Sequence, residues 1–266
     1  MRVRSGAPDT GGIIALILIA AFFGVCAFMM STEHFEQNLR KKILPAFIQT
    51  LWPKATYNCF KGISLHEFEA SKIFMYETND YTSTDLIQTC SGKTEIKLSS
   101  VNAAYHPYGA KGSAKIFAGL FLIAEFNKDT CGRTYVLPDK AEKLLGRPGQ
   151  SIQALNKSHG ELVKTEDPEF EKYFAVFSTD QVEARYILSP SLMRNLLEFR
   201  RKVGEEVFVS FIAGKIYLGL SNGILTHHLS VSTPLTADSM KTLSPHLSAI
   251  HHLIDQSLTT RIWTKE

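Results

Sequence analysis

The chain has 266 residues, with 29 Lys and Arg against 26 Asp and Glu and a formal net charge of +3. That excess is too small, and its cations too interspersed with acids, to mark a nucleic-acid binder. The length allows one large domain or two small ones with a well-buried core, and no low-complexity tract breaks it.

The first element is apolar. Residues 11–30 read GGIIALILIAAFFGVCAFMM, and no charge occurs from Thr10 to Thr32. About twenty residues of helix cross a hydrocarbon core about 30 Å thick. The segment is expected to be a single transmembrane helix, with Ile13, Leu16, Ile19, Phe22, Phe23 and Phe28 as its anchoring side chains. A cleaved signal peptide is the competing reading, since Arg2 and Arg4 precede the run and Val25 and Ala27 are small. The run exceeds the usual length of a signal's apolar core, which favours an anchor. Arg40, Lys41 and Lys42 follow it and outnumber Arg2 and Arg4. The positive-inside rule then places the rest of the chain in the cytoplasm, under the inner membrane. Cys59, Cys90 and Cys131 agree with that side: three thiols without a CxxC suit a reducing compartment, as free buried cysteines.

Residues 1–32 therefore form a tail and membrane span, and 33–59 a juxtamembrane linker. Residues 60–266 form a soluble domain, with a possible division into subdomains near 150–165. Within the linker, His34 to Leu51 is expected to be helical, with Phe35, Leu39, Lys42, Ala46 and Gln49 on one stripe, Ile43, Phe47 and Ile48 beside it, and Pro45 as an interruption. Trp52 is expected to pack at the entrance to the domain.

A short helix is expected over Glu67–Phe74 and a strand over Lys93–Leu98, where Thr94, Ile96 and Leu98 alternate. Lys115–Phe126 is nearly all apolar, with β-branched and aromatic residues and turn signals after it; it reads as a central strand. Arg133–Leu137 reads as its return strand. Phe174–Ser178 is another strand. Gln181–Leu188 alternates Val182, Ala184, Tyr186 and Leu188 against Gln181, Glu183, Arg185 and Ile187, and also reads as a strand. Ser189 and Pro190 are placed as the cap and first residue of a helix. That helix buries Leu192, Leu196, Phe199 and Val203 and stops at Gly204. Val207–Ile212 and Lys215–Leu220 form a hairpin around Ala213–Gly214, and a final helix runs from Asp238 to Gln256. Short turns between strands imply antiparallel pairing. The class is α+β, with helices packed on one face of the sheet.

Several separated blocks resemble a known bacterial family. They are KIFAGLFLIAEFNK from Lys115, TYVLPD from Thr134, EDPEFEKYF from Glu166, DQVEARYILSPSL from Asp180, and TRIWTK from Thr260. In this order they resemble the domain of unknown function 3137, over roughly Phe60 to the C-terminus. The resemblance implies a membrane-anchored protein without an established activity. The chain departs from the pattern in showing one span where relatives often show two. It also lacks an acidic pair after Tyr81.

Catalytic signatures are sparse. No GxSxG, SxxK or HExxH occurs, and Gly109–Gly112 (GAKG) lacks P-loop spacing. His227, His228, His246, His251 and His252 are numerous, but their spacing does not converge on a metal. No cofactor or metal is implied. Asp180, Gln181, Glu183 and Arg185 are the candidate binding residues, as a polar patch on one strand. Arg185 is the strongest for an anion or partner, because a planar guanidinium grips a carboxylate or phosphate with two hydrogen bonds. The same residues could equally form a ladder of surface ion pairs. The expected function is a membrane-anchored, non-catalytic interaction module whose partner is another membrane or envelope protein or a lipid head group. A membrane-associated enzyme and a subunit of a larger envelope complex stay open as alternatives. Oligomeric state is not legible.

Overall fold

A computed structural model describes residues 42–91, 94–107, 112–125, 130–139, 158–221 and 237–257. The apolar segment 11–30, the GAKG loop, His227 and His228 and the C-terminal block from Thr260 lie outside the described residues. Among the described residues, no helix is long and apolar enough to cross a membrane.

Among the described residues, nine strands form one sheet. They are β1 (Thr56–Asn58), β2 (Asp80–Ser91), β3 (Thr94–Tyr105), β4 (Ala114–Glu125), β5 (Arg133–Pro138), β6 (Glu161–Val163), β7 (Phe174–Ser178), β8 (Glu206–Ile212) and β9 (Lys215–Ser221). Their order is β1-β2-β3-β4-β9-β8-β5-β7-β6, and every pairing is antiparallel. The helices are α1 (42–51), α2 (Leu65–Ala70), α3 (Pro168–Glu171), α4 (Gln181–Ile187), α5 (Pro190–Val203) and α6 (Ala237–Ser257). The α+β class with antiparallel pairing is observed.

β4 is apolar on both sides, so both faces of the sheet must be covered. Leu120, Leu122 and Ala124 enter one core with Val209, Phe211, Leu218 and the inner faces of α1, α5 and α6. Phe117, Phe121 and Ile123 enter the other, with Tyr135, Phe208 and Tyr217. Each fully buried large side chain contributes roughly 1.5–3 kcal/mol.

α5 forms as its residues dictate. The Ser189 hydroxyl accepts the Leu192 N–H, Pro190 opens the helix, and Gly204 closes it at φ 69°. Its buried stripe includes Leu192, Leu196, Phe199 and Val203. The β8–β9 turn has positive φ at both Ala213 (48°) and Gly214 (69°), as a tight hairpin twisted with its strands requires. Trp52 is buried in the first core, edge-on to His251 of α6 with ring centroids 5.2 Å apart.

Three expectations need correction. Arg133–Pro138 does not return beside β4; it pairs with β7 and β8, while β9 takes the place beside β4. Local order could not reveal that crossover. Helices do not all share one face. α2 lies on the second face, where Phe68 packs against Phe121 at 4.9 Å and Phe74 at 5.3 Å. On α1, Lys42, Ala46 and Gln49 share the water-facing stripe, while Leu44 and Ile48 are buried. Finally, Gln181–Ile187 is a helix; the reason is given below.

α2 is short and depends on its ends. The Ser64 hydroxyl accepts the Glu67 N–H, and the Glu67 carboxylate accepts the Ser64 N–H. The same carboxylate meets the Lys97 ammonium of β3 at 2.6 Å. Beyond the helix, the Ser210 hydroxyl donates to the Ser71 carbonyl at 2.8 Å. His159 Nε2 lies 3.0 Å from the Ile73 carbonyl, so that nitrogen carries the proton.

Partial burial pushes the Glu67 carboxyl upward, but Lys97 and the Ser64 N–H and hydroxyl outweigh it and lower its pKa from 4.5 to about 2. A lowered native pKa means stability that is present above the ordinary value and is lost as pH falls toward about 2. Urea denaturation of Glu67→Gln should show a cost of about 1 kcal/mol at neutral pH. The variant should also lack this portion of the parent's decline below pH 4.5. Parallel acid profiles for both proteins would contradict the assignment.

Candidate functional site

Asp180, Gln181, Glu183 and Arg185 lie where β7 leaves the sheet. α4 starts there because Asp180 caps it. Its Oδ1 accepts the N–H of Val182 at 2.9 Å and of Glu183 at 3.0 Å. Ala184, Ile187 and Leu188 are the buried residues, spaced as a helix requires. The apolar alternation that suggested a strand is thus split. Val182 and Tyr186 point outward, 77% and 65% exposed.

The two acids serve the fold. Glu183 Oε2 accepts the Cys131 N–H at 2.9 Å, and both its oxygens lie 3.2 Å from the Gly132 nitrogen. It therefore ties the entry of β5 to α4. Thr179 completes the junction: its hydroxyl accepts the Arg133 N–H at 2.9 Å, and its N–H donates to the Arg133 carbonyl at 3.1 Å. Gln181 Nε2 reaches Glu161 Oε2 and the Leu162 carbonyl of β6, each at 3.4 Å. Arg185 is exposed in the last turn. The four residues share one corner of the molecule, but they do not converge on one point.

What converges instead is Arg185 with two apolar neighbours. Val182, Arg185 and Tyr186 stand at i, i+3 and i+4, on one face of α4. Leu162 of the adjoining edge strand β6 is 41% exposed. Tyr186, Val182 and Leu162 were not singled out from sequence. The signal was present: an Asp180 cap with Glu183 three residues on is a helix start, and it places Val182 and Tyr186 off the buried stripe.

Other chemistry is thin among the described residues. No group of three or more His, Cys, Asp or Glu there could hold a metal ion. Cys59 is buried, while Cys90 and Cys131 are exposed; all three are free thiols, so the expectation of burial fails for two of them. One cavity of about 20 Å³ separates α5 and α6 from the sheet, and its walls, including Leu122, Leu196, Phe211 and Ile250, are entirely apolar. A second, of about 10 Å³, lies between Asn195, Lys202 and His252. Burial raises the pKa of Tyr81 to about 12 and also raises Tyr135, Tyr217 and Glu205. None of these four residues lines either cavity. Asp167 caps α3 through the N–H groups of Glu169 and Phe170, and the nearby acids are exposed.

These roles separate by mutation. Asp180→Ala should cost about 1 kcal/mol through the lost cap. Glu183→Ala should cost about 1–2 kcal/mol, because two N–H groups lose their acceptor. Arg185→Glu should change stability by less than about 0.5 kcal/mol. Thermal denaturation checks all three. A large loss at Arg185 with none at Glu183 would reverse the assignment.

No protein of curated function matches this chain in sequence. The crystal structure of the mycobacterial trehalose monomycolate transport factor A, TtfA, aligns with 80% of this chain and 90% of its own, at 10% identity and a TM-score of 0.38. That similarity is too low to bear on function. The model of a family described as a protein of unknown function, DUF3137, matches residues 115–257, from β4 to the end of α6. That is more than half of the 266 residues, and the chain belongs to the DUF3137 family.

Proposed function

We propose that this chain is a non-catalytic interaction module, held at the inner membrane by residues 11–30, that binds a protein partner through the outer face of α4. The observation that carries this reading is the division of labour at the corner. Asp180 and Glu183 are consumed by the fold, while Val182, Arg185 and Tyr186 are turned to water. An exposed apolar pair beside a guanidinium is the composition of an interface centre, where Tyr and Arg are enriched. The complementary partner offers an apolar recess and a carboxylate for Arg185. The apolar run and the basic residues after it support a cytoplasmic placement of the domain, and the exposed free thiols Cys90 and Cys131 agree with it.

Site-specific photocrosslinking tests the face. A photoreactive amino acid at Val182, in the full chain in its own membranes, should give a discrete adduct with a second protein. The adduct should disappear when Arg185→Glu is added. The same probe at Asn102, exposed on β3, should give none. Equal labelling at both positions, or an adduct indifferent to Arg185, would contradict the proposal. So would an adduct made only of two copies of this chain.

A further inference from the structure

The opposite edge of the sheet carries a different surface. We infer that β1 and the turn after it lie against an anionic lipid bilayer, an inference that rests on the membrane anchoring proposed above.

The first reason is charge. From 37 to 66 the sequence holds Arg40, Lys41, Lys42, Lys54 and Lys61 and not one acid. Lys42, Lys54 and Lys61, the described members, are all exposed. Basic residues are attracted to an anionic bilayer surface within a Debye length. Asp85, the acid nearest the turn in the sheet, is buried, and the Tyr57 hydroxyl donates to its Oδ1. On α6, Asp255 lies one turn beyond His251, the residue edge-on to Trp52.

The second reason is shape. Phe60, beside Lys61, is 63% exposed at the tip of the turn. An aromatic ring flanked by cations is the side-chain set that enters a lipid interface. The turn is held from beneath. Asn58 Oδ1 accepts the N–H groups of Phe60 at 3.0 Å and Lys61 at 3.1 Å. The Lys61 carbonyl accepts the Leu86 N–H at 2.9 Å, and the Cys59 carbonyl accepts the Asp85 N–H at 3.3 Å. Asp85 reaches that position through a bulge in β2, at φ 60°. Gly62 lies so close to β2 that a Cβ there would sit 2.2 Å from Ser83 Oγ and 2.4 Å from its carbonyl carbon. These contacts fix the backbone of the turn against β2.

The third reason is reach. Nine residues, 33–41, lie between the uncharged run and Lys42, the first described residue of α1. Fully extended, they span at most about 32 Å, and as a helix about 14 Å. The chain then passes through α1 directly into β1, so this edge is the part of the sheet tethered nearest the bilayer. β6 lies eight strand spacings away. At about 4.8 Å each, that is about 38 Å. The α4 face is therefore presented to water while β1 meets lipid.

The test uses the full-length chain in vesicles of neutral lipid or of neutral lipid mixed with phosphatidylglycerol. A fluorescent amino acid replaces Phe60 in one sample and Leu162 in another, and the lipids carry a quencher near the head group. Flotation reports anchoring, and quenching reports docking. The expected result is strong quenching at 60 in phosphatidylglycerol vesicles, little at 162, and loss of quenching at 60 in Lys54→Glu/Lys61→Glu while the protein still floats. A chain that floats but is quenched equally at 60 and 162 overturns the inference alone. So does quenching at 60 that ignores both the lipid charge and the charge reversal. A chain that does not float overturns the anchoring and this inference with it. The charge-reversed pair should melt with the parent, because both lysines are exposed; a lower midpoint would direct the lipid test to single replacements by Gln, judged by the same loss of quenching.

Discussion

The fold depends on strand β4 being apolar on both faces. A half-buried strand can leave one side in water, but Phe117 and Phe121 face one way while Leu120 and Leu122 face the other. Both layers must be dry before the sheet is stable. α1, α5 and α6 cover one side. On the other, α2 seals an aromatic cluster in which Phe68 touches Phe74, Phe117, Phe121 and Tyr81. The small size of α2 explains why so many polar devices surround it. Ser64 and Glu67 start it, Lys97 ties it to β3, and Ser210 and His159 hold the chain that leaves it.

With the middle of the sheet committed to packing, chemistry is left to its two ends. At the β6 end, α4 turns Val182, Arg185 and Tyr186 outward. At the β1 end, the bulged β2 carries a stiff turn that displays Phe60 and Lys61. Neither end is a catalytic constellation. Both display an exposed ring and a cation: Tyr186 and Arg185 at one end, Phe60 and Lys61 at the other. The sheet acts as a spacer between them. The family match begins at β4 and ends with α6, so it includes the α4 end and leaves out the β1 end.

Local signals carried much of the architecture. Ser189, Pro190 and Gly204 define α5 to the residue, because capping is a short-range interaction. The hairpin at Ala213–Gly214 and the strand Phe174–Ser178 were equally readable. Failure came where two periods fit the same residues. Val182, Ala184, Tyr186 and Leu188 alternate like a strand, while Ala184, Ile187 and Leu188 match a helix. The Asp180 cap decides between them. Pairings between distant strands were not legible. Nothing near Arg133 says that β9 will take the place beside β4. The β2 strand and its bulge at Asp85 were also missed. Its residues are mostly polar and β-branched, and its register depends on the turn at 59–61, some twenty-five residues earlier. Of the four candidate site residues, Asp180 and Arg185 are exposed, and the Asp180 carboxylate is engaged as the cap of α4. Glu183 could not be recognised as structural until Cys131 and Gly132 were beside it.

Hydrogen exchange on the full-length chain, bound to phosphatidylglycerol-containing vesicles and compared with the detergent-solubilised protein, tests the two-ended arrangement most directly. The account predicts slowed exchange confined to residues 54–62, with the amides of 181–187 unchanged. Slowing over 181–187, or none at 54–62, would contradict it.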